Sequence, residues 1–379
     1  MGKYTPSASA GFDARLDADL RRLVEEVHTS PVGPRVRGVA LSGTYGRGDG
    51  GVRFVQEEEC PAESLELAVV LDRRRVQRND ARVLAAIAAR AAAAGCEARL
   101  RPLALGALPA EPFTLANYEL KYGHLVLSGD DHCLESLPAY PQPKIPLAEA
   151  SRLLFRHGAV LLRLLRRVHA QSPPAAAEQA EIRDALLSLG LAAGEAVLIV
   201  ADRYDLFRRL NLATLRELPV FDVPRMEFIV RGYERAVACL ESGVEVGGSG
   251  DETAAAEAVR DLLPELFAWC EANRLGETFR GVQDYERVLE TRDRAGSVWG
   301  NFRQRWRVAG LRLVRTGTPR SWLFQTPRRQ LYPAMLRLLS TTDPAPALCR
   351  LLGLPQGTTR DRLEAVFLRQ AERLAAETE

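Results

Sequence analysis

The chain has 379 residues, 46% of them hydrophobic and 26% charged, which is enough for two domains whose cores need no metal or disulfide staple. The formal net charge of +2 excludes capture of nucleic acid or of an anionic surface through global charge alone. The six cysteines, at 60, 96, 133, 239, 270 and 349, form no CxxC pair, which argues against a zinc site or a disulfide framework and reads as reduced thiols in a cytoplasm. Residues 1–11 lack the apolar core of a signal peptide, and no run approaches the ~20 apolar residues of a membrane span. The expectation is therefore a cytoplasmic protein without a membrane partner.

Residues 12–29 carry Leu16, Leu20, Leu23 and Val24 at helical spacing between acids and bases, which predicts an amphipathic helix. Gly33-Pro34 marks a turn. Residues 36–41 form a short apolar run that fits a buried strand, ending abruptly in a glycine-rich stretch that reaches Gly51. Residues 52–56 read as a further strand, and Glu57, Glu58 and Glu59 as an acidic loop closed by Pro61. In residues 64–72 the large apolar side chains Leu65, Leu67, Val69 and Leu71 alternate, so a central strand is predicted with Ser64, Glu66 and Ala68 on its other face. An Ala-rich helix over 79–94, a strand over 97–105 and a mixed region over 112–139 with a short strand at 124–127 follow.

Three prolines, Pro141, Pro143 and Pro146, forbid regular structure and mark a linker. Beyond it the period turns helical, with helices predicted at 147–170, 176–203, 224–242, 252–273, 297–315, 328–340 and 359–377 and a loop at 244–250. The predicted fold class is thus α+β: a small mixed sheet in a domain over 1–140, then an all-α domain over 147–379 with a break at 244–250.

The chemically informative pattern is a strand, a glycine-rich turn carrying a hydroxyl, and a strand with polar residues on one face. A glycine turn lets backbone N–H groups approach a phosphate closely. Carboxylates two apart on a strand share a face and can jointly hold Mg²⁺ against a triphosphate. Gly43-Thr44-Tyr45-Gly46-Arg47-Gly48 resembles the G-[GS]-x-[AG]-R-G signature of the DNA polymerase β-like nucleotidyltransferase superfamily, and the wider stretch from Leu41 to Gly50 is similar to uncharacterised bacterial members of it. Weaker similarities lie in Tyr118-Glu119-Leu120-Lys121-Tyr122-Gly123-His124, in Leu127-Ser128-Gly129-Asp130 and in Gly194-Glu195-Ala196-Val197-Leu198-Ile199, so the resemblance covers about residues 36–240.

The resemblance implies that Gly43 and Thr44 bind the β- and γ-phosphates of a nucleoside triphosphate and that Arg47 supports the turn or a phosphate. It puts Ser64 and Glu66 at the two metal-carboxylate positions, so the first carboxylate is replaced by a hydroxyl, a poor Mg²⁺ ligand. The third carboxylate falls on Glu97, or on Arg99 if the strand is shifted by two residues. The activity implied is Mg²⁺-dependent transfer of a nucleoside monophosphate to an unknown acceptor, with Glu97 or Asp49 assisting deprotonation. The alternative is a catalytically degenerate relative that binds a nucleotide or a protein.

Two patterns point elsewhere and are set aside. Gly46, Gly48 and Gly51 match a dinucleotide fingerprint, but a strand rather than a helix should follow them. Trp299, Phe302 and Trp306, interleaved with Arg303 and Arg307, have the spacing of a packed helix face, so no nucleic-acid partner is expected.

Overall fold

The structure, a computed structural model, describes residues 2–55, 57–141, 144–169, 176–219, 223–243, 252–292, 326–340 and 345–378. The helix predicted at 297–315, with Trp299, Phe302 and Trp306, and the loop at 244–250 lie outside these residues.

The first helix, α1 (Ala10–Thr29), starts where Ser9 accepts a hydrogen bond from the Phe12 N–H. It ends at Ser30, just before Pro31. Phe12, Leu16, Leu20, Leu23 and Val27 recur along one stripe and are all buried. The chain then forms β1 (Val36–Ser42), a single helical turn α2 (Gly43–Gly46), the ribbon β2 (Val52–Val55) and β3 (Glu58–Pro61), and β4 (Leu65–Leu71). After α3 (Arg78–Ala93) come β5 (Ala98–Ala104), α4 (Leu115–Tyr122) and β6 (Leu125–Gly129).

Four strands make one mixed sheet in the order β5-β4-β1-β6. β1 runs antiparallel to β4, with Ser42 opposite Glu66, and antiparallel to β6. β4 and β5 are parallel and joined through α3, with Glu66 beside Arg99. The strands predicted at 36–41, 64–72 and 97–105 are therefore neighbours. Both faces of β4 are covered. Leu65, Leu67, Val69 and Leu71 pack with α1 and α3, while Ala68 and Val70 pack with Leu103, Leu108, Leu120 and Leu134. A strand buried on both faces carries apolar residues on each, as Leu67 to Leu71 do.

One expectation needs correction. Glu57–Glu59 with Pro61 is not a loop: β3 pairs with β2 as a hairpin, Val55 opposite Glu58, and Glu57 takes φ 70 at its turn. The strand expected over 52–56 is β2; the acidic side chains of β3 hide its pairing with it, in a ribbon where Val52 alone is buried. The expected mixed region resolves into α4, capped by the Thr114 hydroxyl accepting from the Asn117 N–H, and β6, which starts one residue later than expected.

Beyond residue 146 every regular element among the described residues is a helix: α5 (Leu147–Val168), α6 (Ala176–Val200), α7 (Arg208–Glu217), α8 (Met226–Ser242), α9 (Glu252–Leu275), α10 (Val282–Arg292), α11 (Arg328–Leu339), α12 (Ala345–Leu352) and α13 (Arg360–Thr378). None of these helices is long and apolar enough to cross a membrane.

The chain divides into two compact units, but not at one point. Residues 1–146 are joined by 201–218 and 230–248, and the remaining segments form the second unit. The single boundary expected at 141–146 thus misses a return of the chain, fixed by polar contacts that helical periodicity cannot report. In the second unit α5 buries Leu153, Leu154, Leu161, Leu164 and Leu165. Its Gly158 lies so close to α11 that a Cβ there would sit 2.3 Å from the Met335 sulfur. The fully buried Glu271 of α9 is held by Ser151, Arg274 and Tyr285.

Candidate functional site

The site belongs to the first unit and begins where β1 ends. Gly43 adopts φ 64, a left-handed conformation that side chains other than glycine rarely take. A Cβ at this position would stand 3.1 Å from Glu66 Oε2, so the Glu66 carboxylate lies directly against the turn. The Ser42 hydroxyl donates to the Glu66 carbonyl at 3.1 Å, tying the end of β1 to the start of β4. Gly43, Thr44 and Glu66 are therefore brought together.

A buried tyrosine shapes the rest of the turn. Tyr45 is 1% exposed, and its hydroxyl donates to the Gly51 carbonyl at 2.6 Å while accepting from the Glu63 N–H at 3.3 Å. Gly50 must be glycine for this packing, since a Cβ would fall 2.2 Å from the Tyr45 ring. Part of the glycine-rich signature is thus explained by the turn wrapping its own aromatic side chain.

Thr44 and Arg47 are both engaged with acids. The Thr44 hydroxyl donates to Glu63 Oε2 at 3.0 Å. Glu63 Oε1 takes the Arg208 guanidinium, whose side chain is 7% exposed. The Arg208 backbone N–H donates to Asp49 Oδ2 at 3.0 Å, and its Nη1 to the Asp49 carbonyl at 3.4 Å. Arg47 Nη1 pairs with Glu119 Oε1 at 3.1 Å, and the Tyr204 hydroxyl donates to the same oxygen at 2.5 Å. The Arg47 guanidinium is thus buried and held by Glu119 of α4.

The charges follow from these contacts. Burial would raise the Glu63 carboxyl, yet Arg208 and the Thr44 hydroxyl together hold it below the usual carboxylate range. Burial raises Asp49, partly opposed by its contacts with Arg208. Burial opposes the charge of Arg47, but Glu119 more than restores it. Asp49 is engaged by the Arg208 backbone N–H and guanidinium.

At the other end of the site the register decides between two expectations. Leu65 pairs with Ala98 and Glu66 with Arg99, so it is Arg99 that stands beside Glu66. Glu97 precedes β5, exposed, one step back beside Ser64, where its carbonyl accepts the Leu65 N–H at 2.8 Å. Residues two apart on a strand share a face, so Ser64, Glu66, Glu97 and Arg99 occupy one side of the sheet. This donor set does not fit a Mg²⁺ site built on two carboxylates, since one position is a neutral hydroxyl and a cation stands in register with the other. Among the described residues no three His, Cys, Asp or Glu side chains are grouped to hold a metal ion.

Sequence reasoning missed Glu63, Arg208 and Tyr204, and gave Glu119 no role. Glu63 had a faint signal as the acid immediately before Ser64. Arg208 had none, being one arginine among many in a helical stretch. Compared with known proteins, the chain matches no family model, no curated protein and no solved structure.

Proposed function

We propose that the first unit is a nucleotidyltransferase-like module that binds a nucleoside triphosphate at the Gly43-Thr44 turn and has lost the two-carboxylate metal chemistry of transfer. The carrying observation is the order of parts. A central strand ends in a left-handed glycine beside a hydroxyl, and an antiparallel neighbour presses one carboxylate, Glu66, against that glycine. A parallel third strand follows. This is the arrangement that the resemblance implies, lacking the first acid. In this reading backbone amides of the turn and the Thr44 hydroxyl face the β- and γ-phosphates, and an incoming phosphate competes with Glu63 for Thr44. The reading extends to a cytoplasmic location, with which six free thiols agree.

Nucleoside monophosphate transfer to an acceptor is the rival reading. It would have to run with Glu66 as the principal metal ligand, and Ser64 and Arg99 both weigh against it. Pyrophosphate release from ATP with Mg²⁺ present separates the two. The native chain and Glu66→Gln should both stay at background. Ser64→Asp, which restores the missing acid, should raise Mg²⁺ affinity. Native turnover that disappears in Glu66→Gln would replace this reading with the transferase one.

A further inference from the structure

We infer that the polyphosphate bound by this module is neutralised by the Arg99 guanidinium rather than by a divalent cation. The inference rests on the nucleotide-binding reading above and adds what supplies the positive charge. Arg99 lies in register with Glu66 on the adjoining parallel strand, so the two side chains leave the same face of the sheet side by side. It is exposed, and among the described residues its side chain makes no hydrogen bond or ion pair. The other arginines around the turn are committed: Arg47 to Glu119 and Arg208 to Glu63 and Asp49. One strand position further on, Arg101 lies 3.6 Å from Glu111. Arg99 is thus a cation at the point where the resemblance places a metal-binding acid.

Charge arithmetic makes the substitution consequential. Asp49 and Glu63 are already paired with Arg208, and Glu66 lies against the turn. A triphosphate arriving there brings several negative charges of its own and needs a positive charge to meet them. A divalent ion would supply that charge only if held by acids, and a neighbouring guanidinium would repel it from that place. A guanidinium supplies the charge directly, through a planar fork of donors that matches two phosphate oxygens at once. Complexing Mg²⁺ lowers the negative charge of the nucleotide, so it should leave the affinity of an arginine site unchanged or weaken it. A metal-built site would gain affinity instead.

The test is equilibrium titration of the full chain with ATP and with inorganic tripolyphosphate, each in EDTA and in Mg²⁺, for native protein, Arg99→Gln and Arg99→Lys. Both probes should bind in EDTA, and Mg²⁺ should not tighten either. Arg99→Gln should weaken both by about tenfold or more, the loss expected for one charge-assisted contact, and Arg99→Lys should recover part of it. Binding that requires Mg²⁺, or native affinity in Arg99→Gln, overturns the inference and leaves the nucleotide-binding reading standing. Failure of ATP to bind native protein in either condition overturns both.

Discussion

Glu63 is the residue on which the turn and the returning segment both depend. Its carboxylate takes the Thr44 hydroxyl on one oxygen and the Arg208 guanidinium on the other. Removing one partner of such a pair leaves the other desolvated and unmatched, so Arg208→Met should cost about 2–4 kcal/mol, read as a shift in urea midpoint. The sign of the pH dependence follows from the depressed Glu63 value. The stability it contributes is fully present above its ordinary value of 4.5 and is lost as the pH falls through the lower folded value. Asp49, raised by burial, works in the opposite sense and offsets part of that loss. Glu63→Gln should therefore melt lower than native protein at neutral pH, with the difference narrowing in acid. A gap that stays constant with pH would show that Glu63 does not act through its charge. Gly50 gives an independent check of the same turn. Gly50→Ala forces a methyl into the Tyr45 ring and should cost about 1–3 kcal/mol.

Among elements, the strands and helices that bury an uninterrupted stripe were legible in the sequence, and those that do not were not. β4 and α1 announced themselves because Leu65 through Leu71 and Phe12 through Val27 repeat at the strand and helix periods. Leu67→Ala in the middle of β4 should accordingly cost about 2–5 kcal/mol in urea unfolding, since the cavity opens between α1, α3 and the sheet. β2 was read as a strand, but β3 stayed hidden because it is acidic and its partner exposes Phe54 and Val55. The short helices α7, α10 and α12 were missed for a related reason, as their lengths give too few turns for a period to show. In the site, the resemblance named Gly43, Thr44 and Glu66, which the fold brings together. The choice between Glu97 and Arg99 was not legible, because a register is set by pairing with another strand.

For the molecule as a whole, the consequence is that the first unit is not encoded by the first 146 residues alone. Arg208, Tyr204 and Arg209 return to it and pair with Glu63 and Asp49, with Glu119, and with Glu241 of the second returning segment. A fragment ending at residue 146 would leave Asp49, Glu63 and Glu119 without these partners. It should be less stable than the same unit in the full chain, which amide hydrogen exchange across β1 and β4 would report as faster exchange. Equal protection in the fragment would show that the returning segments are accessory.

The proposed module stands or falls on whether a triphosphate meets the turn at Gly43. Titration of ATP into native protein and into Gly43→Val measures this directly, with circular dichroism showing that the variant remains folded. A valine there must abandon φ 64 or push into the Glu66 carboxylate, so the account predicts saturable binding by native protein and none by the variant. Native protein that does not bind ATP, or a folded Gly43→Val variant that binds it equally well, would contradict it.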